Sequence, residues 1–123
     1  MSSSITSIGV DIIEIQRIKQ AAEKWQDRFL QRVYTEAELQ DCGRRWDSLA
    51  ARFAAKEAVL KSLGKTTDIG WHDIEVKRHE NDAPYICLHG NALAIADQLG
   101  IRNFAVSLSH CEKYAVAVSI ANV

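Results

Sequence analysis

The helical segment around "RFAAKEAVLK", residues 52–61, constrains the fold of this chain more than any other stretch. At about 100° per residue, one side of the helix carries large apolar side chains: Leu49, Phe53, Leu60 and Leu63. Much of the remaining surface is alanine: Ala50, Ala51, Ala54, Ala55 and Ala58. A helix that is apolar on most sides is buried on most sides. The rest of the chain must therefore surround this helix.

The charges on this helix raise two alternatives. Lys56 projects near the middle of the large apolar stripe, and Glu57 and Lys61 are spaced as an i, i+4 pair on its flank. The simpler interpretation is a surface ion pair worth a few tenths of a kcal/mol. Charges on a largely buried helix instead need partners supplied by other elements.

Length and composition indicate a single globular domain over residues 1–123, and they argue against two function classes. The net charge is −1 and the pI is about 6.4, which argues against nucleic-acid binding through overall charge. No apolar run approaches the roughly 20 residues of a membrane span. The N-terminus lacks a signal peptide pattern, and three cysteines without metal-ligand spacing predict a reduced, cytoplasmic protein.

Hydrophobic periodicity predicts alternating helices and strands, and hence an α+β fold. Residues 5–13 read as a buried strand, and a helix from Glu14 places Ile15, Ile18, Ala22, Trp25 and Phe29 on one face. "TEAE" at Thr35–Glu38 is a capping box. The central helix is capped by Asp47 or Ser48 and stops at Gly64. Later elements are strands 72–78 and 84–89, a helix over 90–99 closed by Gly100, and a hairpin of 103–110 with 114–121.

Asp11 is a candidate partner for the helix charges. It interrupts "IGVDII", where a carboxylate is costly unless it is hydrogen-bonded or bound to a cation. One alternative is that Asp11 caps the helix that follows. The other is that Asp11 and Glu57 share Mg²⁺, which one or two carboxylates commonly hold together with substrate phosphates. Lys61 and Arg52 would then contact phosphate.

Four blocks give the chain a specific resemblance. "IGVDIIEIQRI", "RFAAKEAVLKSLG", "WHDIEV" and "SLSH" occur in this order with fitting separations. Together they resemble the holo-acyl-carrier-protein synthase group of 4′-phosphopantetheinyl transferases. The resemblance implies that family's fold, an antiparallel-rich sheet packed against a long buried helix, with the active site between subunits of a homotrimer. It also implies transfer of phosphopantetheine from coenzyme A to a serine of an acyl carrier protein.

The resemblance also implies residue roles. Asp11 and Glu57 hold Mg²⁺, while Arg52, Lys61, Gly64 and His110 contact coenzyme A. Glu57, Lys61 and His110 are the catalytic candidates, because phosphoryl transfer needs charge neutralisation and a base for the serine proton. A structural role for His110 is the alternative, since its side of the strand also carries Phe104, Val106 and Leu108. Cys111 is disfavoured as a nucleophile, because strand neighbours point to opposite faces.

The acidic carrier protein is expected to dock on a basic stripe of the first helix. Arg17, Lys24 and Arg28 lie at i, i+7 and i+11, and Arg32 extends the stripe if the helix continues. The alternative is an ordinary solvated face. Arg17 matches the family's docking position. The sequence does not distinguish a carrier of fatty acid synthesis from a carrier of another pathway.

Two features bear on assembly and on alternative functions. The strands "AVSLSH" and "YAVAVSIA" are apolar on both faces for much of their length, and either a homotrimer interface or this domain's own helices could cover them. The segment "SLGKTTDIGW" shortens, at residues 65–70, a loop that encloses the nucleotide in the family. A non-catalytic binding relative is therefore one alternative to a transferase. A Mg²⁺-dependent phosphohydrolase that uses the same carboxylates on water is another.

Overall fold

The computed structural model of the protein describes residues 5–64 and 68–123, in which strands and helices alternate. The elements are β1 (Ile5–Glu14), α1 (Ile15–Trp25), α2 (Asp27–Val33), α3 (Glu36–Cys42), α4 (Trp46–Leu63), a 3₁₀ turn (Trp71–Asp73), β2 (Ile74–Arg78), β3 (Pro84–Leu88), α5 (Gly90–Leu99), β4 (Asn103–His110) and β5 (Tyr114–Asn122). This arrangement confirms the α+β class. In these ranges no helix combines the length and the apolar character that a membrane crossing requires.

The long helix α4 is buried on most sides, as its composition predicts. Between Leu49 and Leu63 only Phe53, Glu57 and Lys61 keep appreciable contact with solvent. These three residues are four apart, so they form a single open stripe along the helix. The alanine faces pack closely against the sheet, whose central strand β5 turns small residues inward: Ala115, Ala117, Ser119 and Ala121.

Gly9 explains how closely β1 can approach α4. A Cβ atom at this position would lie 1.9 Å from the carbonyl oxygen of Ala58 and 2.9 Å from the backbone nitrogen of Ser62. Any side chain here would therefore push the strand away from the helix. The close contact brings Asp11, two residues further along β1, next to the open stripe of α4.

The strands form two antiparallel sheets. One has the order β1-β5-β4, and the other pairs β2 with β3. The outward side chains of the three-stranded sheet align in rows, such as Val10–Val118–Ser107. The sequence predicts a buried β1, and this is wrong for the outward face of the strand in a single chain. Ile8, Val10 and Ile12 on that face are 61%, 56% and 64% exposed. The helices cover only the opposite face of this sheet.

The first predicted helix is interrupted. It ends at Trp25, and Gln26 adopts φ +55°, a conformation that a non-glycine residue rarely takes, before α2 begins at Asp27. Ile18 and Ala22 are buried as predicted, whereas Trp25, the last residue of the helix on the same face, is 53% exposed. The helical period cannot be carried across the break, and Arg28 lies on a separate helix from Arg17 and Lys24.

Several predicted boundaries are confirmed and others shift. The capping box at Thr35 and Glu38, the left-handed ends at Gly64 and Gly100, and the β4–β5 hairpin are confirmed. Helix α4 begins at Trp46, earlier than expected, and neither Asp47 nor Ser48 is its N-cap, which is Arg45. The strand expected from residue 72 begins at Ile74, because Trp71–Asp73 form the 3₁₀ turn.

Lys56 has a partner that the sequence did not reveal. Its Nζ lies 2.8 Å from Oε1 of Glu38, both side chains are inaccessible to solvent, and the ammonium also donates to the carbonyls of Trp71 and Ile74. Glu38 accepts hydrogen bonds from the backbone nitrogens of Thr35 and Val76. This ion pair joins α3, α4 and β2.

We expect Lys56→Met to lower the free energy of unfolding by about 3–5 kcal/mol, because the Glu38 carboxylate would stay buried without its cation. Urea denaturation measures the change. Lys61→Met is the matched control, since its ion pair with Asp11 is half-exposed and worth at most about 1 kcal/mol. A Lys56→Met variant no less stable than the control would show that the buried pair does not hold these elements together.

Candidate active site

Asp11, Glu57 and Lys61 come together where β1 crosses the open stripe of α4. Nζ of Lys61 lies 3.1 Å from Oδ1 of Asp11 and donates to the carbonyl of Val10 at 2.8 Å. The surface ion pair between Glu57 and Lys61, one of the two alternatives for these charges, is not formed, because Lys61 reaches across to β1 instead. Asp11 does not cap α1 either, since that helix begins at Ile15 with Glu14 as N-cap.

Glu57 differs from Asp11 and Lys61 because its carboxylate forms a hydrogen bond or ion pair with neither of them. Within residues 5–64 and 68–123 it takes part in no hydrogen bond and no ion pair. Burial raises the pKa of Glu57 above its ordinary value, the negative charge of Asp11 raises it further, and Lys61 opposes both effects. Two carboxylates that repel each other in a partly buried place favour a bound cation.

The donor set of this cluster fits Mg²⁺. The cation prefers carboxylate oxygens and keeps open positions for water and phosphate, and here the carboxylates come from two rigid elements. They line an open cavity of about 370 Å³ that also includes Arg17, Phe29 and Phe53. A phosphate-bearing substrate in this cavity would lie near the Lys61 ammonium, which contacts Asp11 of the cavity lining.

Arg52 and His110 lie in a different cavity of the same chain, of about 390 Å³. Arg52 is buried, donates to the carbonyl of Val76 at 3.0 Å and forms an ion pair with Asp41. His110 ends β4, half-exposed, with Nε2 3.9 Å from Oδ2 of Asp47. One chain therefore does not bring Arg52 or His110 into the cavity of Asp11 and Glu57.

Two further arginines of this second cavity were not predicted from the sequence. Arg45 and Arg78 line it together with Arg52, and Arg78 also binds Asp41. Hydrogen bonds from Arg78 and Arg52 hold the pKa of Asp41 below its ordinary value although burial acts against them. The run "CGRRW" directly before α4 was the available signal for Arg45, since it places basic residues at the start of the buried helix.

The remaining predicted site residues lie at three places. Gly64 is the left-handed C-cap of α4, one turn beyond the Lys61 position, and residues 65–67 of the shortened loop lie outside the described residues. Arg17 lines the cavity of Asp11 and Glu57. Lys24 lies over the ring of Trp25 at 5.1 Å. Arg28 lines a third cavity, of about 590 Å³, with Trp25, Phe29, Arg32 and Trp71.

Comparison with known proteins gives consistent matches over nearly the whole chain. Residues 7–119 match the 4′-phosphopantetheinyl transferase superfamily. A holo-[acyl-carrier-protein] synthase of Dehalococcoides mccartyi is 50% identical over 113 residues, covering 92% of this chain and 95% of the relative. The crystal structure of the Helicobacter pylori holo-[acyl-carrier-protein] synthase in complex with coenzyme A has a TM-score of 0.84 at 30% identity and covers 93% of this chain and 98% of that one. The holo-ACP-synthase of Plasmodium yoelii reaches 0.86 at 30% identity, covering 99% and 98%.

Proposed function

The chain belongs to the 4′-phosphopantetheinyl transferase superfamily, and we propose that it transfers 4′-phosphopantetheine from coenzyme A to a serine of an apo acyl carrier protein. One observation carries this function: Asp11, Glu57 and Lys61 meet at the single open stripe of an otherwise buried helix. Among the described residues the Glu57 carboxylate has no partner although a second carboxylate lies beside it, and a purely structural role for the helix does not explain this arrangement.

The reaction moves the phosphopantetheinyl group from the bridging oxygen of the coenzyme A diphosphate to the serine oxygen of the carrier. The serine oxygen attacks the β-phosphorus of coenzyme A, the bond from that phosphorus to the bridging oxygen breaks, and adenosine 3′,5′-bisphosphate leaves with the electron pair. Lys61 neutralises charge on the phosphate oxygens. Glu57 accepts the serine proton. Asp11 and Glu57 would hold Mg²⁺, which supplies further neutralisation of the diphosphate.

Coenzyme A is proposed to bind between two copies of the chain, in a homotrimer. Glu57 of one chain, with Lys61 and Gly64 further along the same helix, would face Arg52 and His110 of a neighbour, because Glu57 lines a different cavity from Arg52 and His110 in one chain. The uncovered apolar face of the β1-β5-β4 sheet supplies a surface for the assembly. All three cysteines are free thiols, which suits a reducing compartment such as the cytoplasm, and a carrier of fatty acid synthesis is the first substrate to test.

The trimer proposal predicts a light-scattering mass of three chains at micromolar concentration. Val118→Lys should reduce the mass to one chain and abolish transfer, because Val118 lies at the centre of the uncovered sheet face. Leu93→Lys is the matched control, since Leu93 is an exposed apolar residue on α5. A wild-type mass of one chain, or full activity in monomeric Val118→Lys, would contradict an interface on this sheet.

A further prediction concerns pH and follows from the raised pKa of Glu57. Mg²⁺ needs the ionised carboxylate, so Mg²⁺ affinity should weaken as pH falls through a range above that of an ordinary glutamate. In the metal-free protein the ionisation of Glu57 has the opposite effect, because it lowers the free energy of unfolding. The folded state holds the Glu57 proton to higher pH than the unfolded state, so this group makes the free energy of unfolding fall as pH rises.

Melting curves with EDTA and with Mg²⁺ across this pH range test both effects. Glu57→Gln should remove the contribution of Glu57 to the pH dependence of the free energy of unfolding. It should also lose the stabilisation that Mg²⁺ gives the wild type. Asp97→Asn, which removes an exposed carboxylate from α5, should change neither. Equal Mg²⁺ stabilisation of Glu57→Gln and wild type would exclude Glu57 as a metal ligand.

The proposed activity is tested by incubating the protein with coenzyme A, Mg²⁺ and several apo carrier proteins, followed by intact-mass measurement. A phosphopantetheine mass gain on a carrier is the expected result. Breakdown of coenzyme A without a carrier would indicate a phosphohydrolase. Complex formation with neither change would indicate a binding protein, and either outcome would overturn the transferase proposal.

A further inference from the structure

Three potential metal ligands converge on one face of the small β2-β3 sheet. Glu75 on β2 lies directly opposite Cys87 on β3, and His89 follows Cys87 by two residues, so it projects to the same side. One donor atom from each of the three side chains lies within 4.8 Å of the other two. The arrangement is separate from the Asp11 and Glu57 cavity, which none of these residues lines.

The Glu75 carboxylate is held in place by its surroundings. Its residue is buried, Oε2 accepts a hydrogen bond from the Thr35 hydroxyl at 2.6 Å, and Oε1 lies 3.1 Å from Nε2 of His89. The Thr35 contact orients one oxygen toward the imidazole, as the outer hydrogen bonds of metal sites do. Nζ of Lys77 is 3.9 Å from Oε1, but its side chain is partly exposed and can turn into solvent.

We propose that Glu75, Cys87 and His89 form a site for Zn²⁺. Thiolate, imidazole and carboxylate are the donors that Zn²⁺ takes, at about 2.0–2.3 Å in tetrahedral geometry. Those bond lengths place neighbouring ligand atoms about 3.3–3.6 Å apart, close to the separation between Glu75 and His89. Water completes the fourth position, because His89 is half-exposed and leaves the site open to solvent.

The site discriminates against Mg²⁺ through its donors. Mg²⁺ favours oxygen ligands in near-octahedral geometry, whereas the Cys87 sulfur and the His89 nitrogen suit a softer cation. Zn²⁺ binding displaces the thiol proton of Cys87 into solvent. The bound ion would tie β2 to β3 and to the start of α5, since His89 is the N-cap residue of that helix. This role is structural and independent of the transfer reaction.

Cobalt substitution tests the site directly. The metal-free, reduced protein titrated with Co²⁺ should show a thiolate-to-cobalt absorption band that saturates at one ion per chain and that Zn²⁺ removes. Cys87→Ser should lose the band, and His89→Gln should weaken Zn²⁺ binding at least about 100-fold, since loss of an orienting contact alone costs about 10–100-fold. Cys111→Ser and His79→Gln are the controls and should bind as the wild type does.

The wild-type protein offers a measurement that no folding defect can obscure. Zn²⁺ should slow alkylation of Cys87, followed by peptide mass spectrometry, while the exposed Cys111 thiol reacts at an unchanged rate. The proposal is overturned if Co²⁺ gives no thiolate band, if Cys87 alkylates equally fast with and without Zn²⁺, or if the two ligand variants bind Zn²⁺ as tightly as the two controls.

Discussion

Asp11→Asn and Glu57→Gln should each lower the Mg²⁺-dependent transfer rate at least about 100-fold while the protein stays folded. The reason is that each variant removes one of the two charges that would hold the cation against the phosphates, an interaction needed most in the transition state. Initial rates at saturating coenzyme A and carrier measure the loss. Glu23→Gln, an exposed glutamate on α1, is the matched control and should keep wild-type activity.

Stability measured beside the rates separates a catalytic role from a structural one. Glu57 makes no ion pair within the described residues, so Glu57→Gln should melt no lower than the wild type in EDTA. Asp11→Asn should lose at most about 1 kcal/mol, because its pair with Lys61 is partly exposed. Both variants melting well below the wild type, with full activity in the folded fraction, would assign the carboxylates to the fold instead.

Arg17→Glu and Lys61→Ala should separate the two substrates. Arg17→Glu places a like charge against an acidic carrier and should raise the apparent KM for the carrier, leaving that for coenzyme A almost unchanged. Added salt should shrink this difference, since the contact is exposed. Lys61→Ala should instead lower kcat with little salt dependence, because its charge acts in a partly desolvated site.

Arg102→Glu, an exposed arginine just before β4, carries the same charge change and should leave carrier KM unchanged. The test decides between carrier docking and the active site, because Arg17 lines the same cavity as Asp11 and Glu57. If Arg17→Glu lowers turnover at saturating carrier as severely as Lys61→Ala does, Arg17 acts in the active site and carrier docking falls to Lys24 and Arg28.

Local sequence chemistry predicted much of the fold. Helix α4, its end at Gly64 and the capping box at Thr35 follow from periodicity and from side-chain hydrogen bonding over a few residues. The break at Gln26 did not follow, because its neighbours carry no glycine or proline that marks an interruption. The partner of Lys56 could not be predicted either, since Glu38 lies on a separate element and sequence spacing does not report contacts between elements.

The proximity of Asp11 and Glu57 followed from the sequence, while their roles stay a prediction. A carboxylate in the apolar strand and another on a buried helix need partners, and that requirement alone indicates Asp11 and Glu57. The separation of Arg52 and His110 from them depends on how β4 and α4 pack. The Glu75, Cys87 and His89 cluster depends on the register of β2 with β3, which residue spacing alone does not give.

The most direct measurement of the central claim is the stoichiometry of transfer with the enzyme in catalytic amount. Moles of adenosine 3′,5′-bisphosphate released should equal moles of carrier that gain phosphopantetheine, and both should vanish with EDTA or with a carrier whose acceptor serine is replaced by alanine. Release of the bisphosphate that continues undiminished with the alanine carrier, or no modified carrier with any apo carrier tested, would contradict group transfer at the Asp11, Glu57 and Lys61 centre.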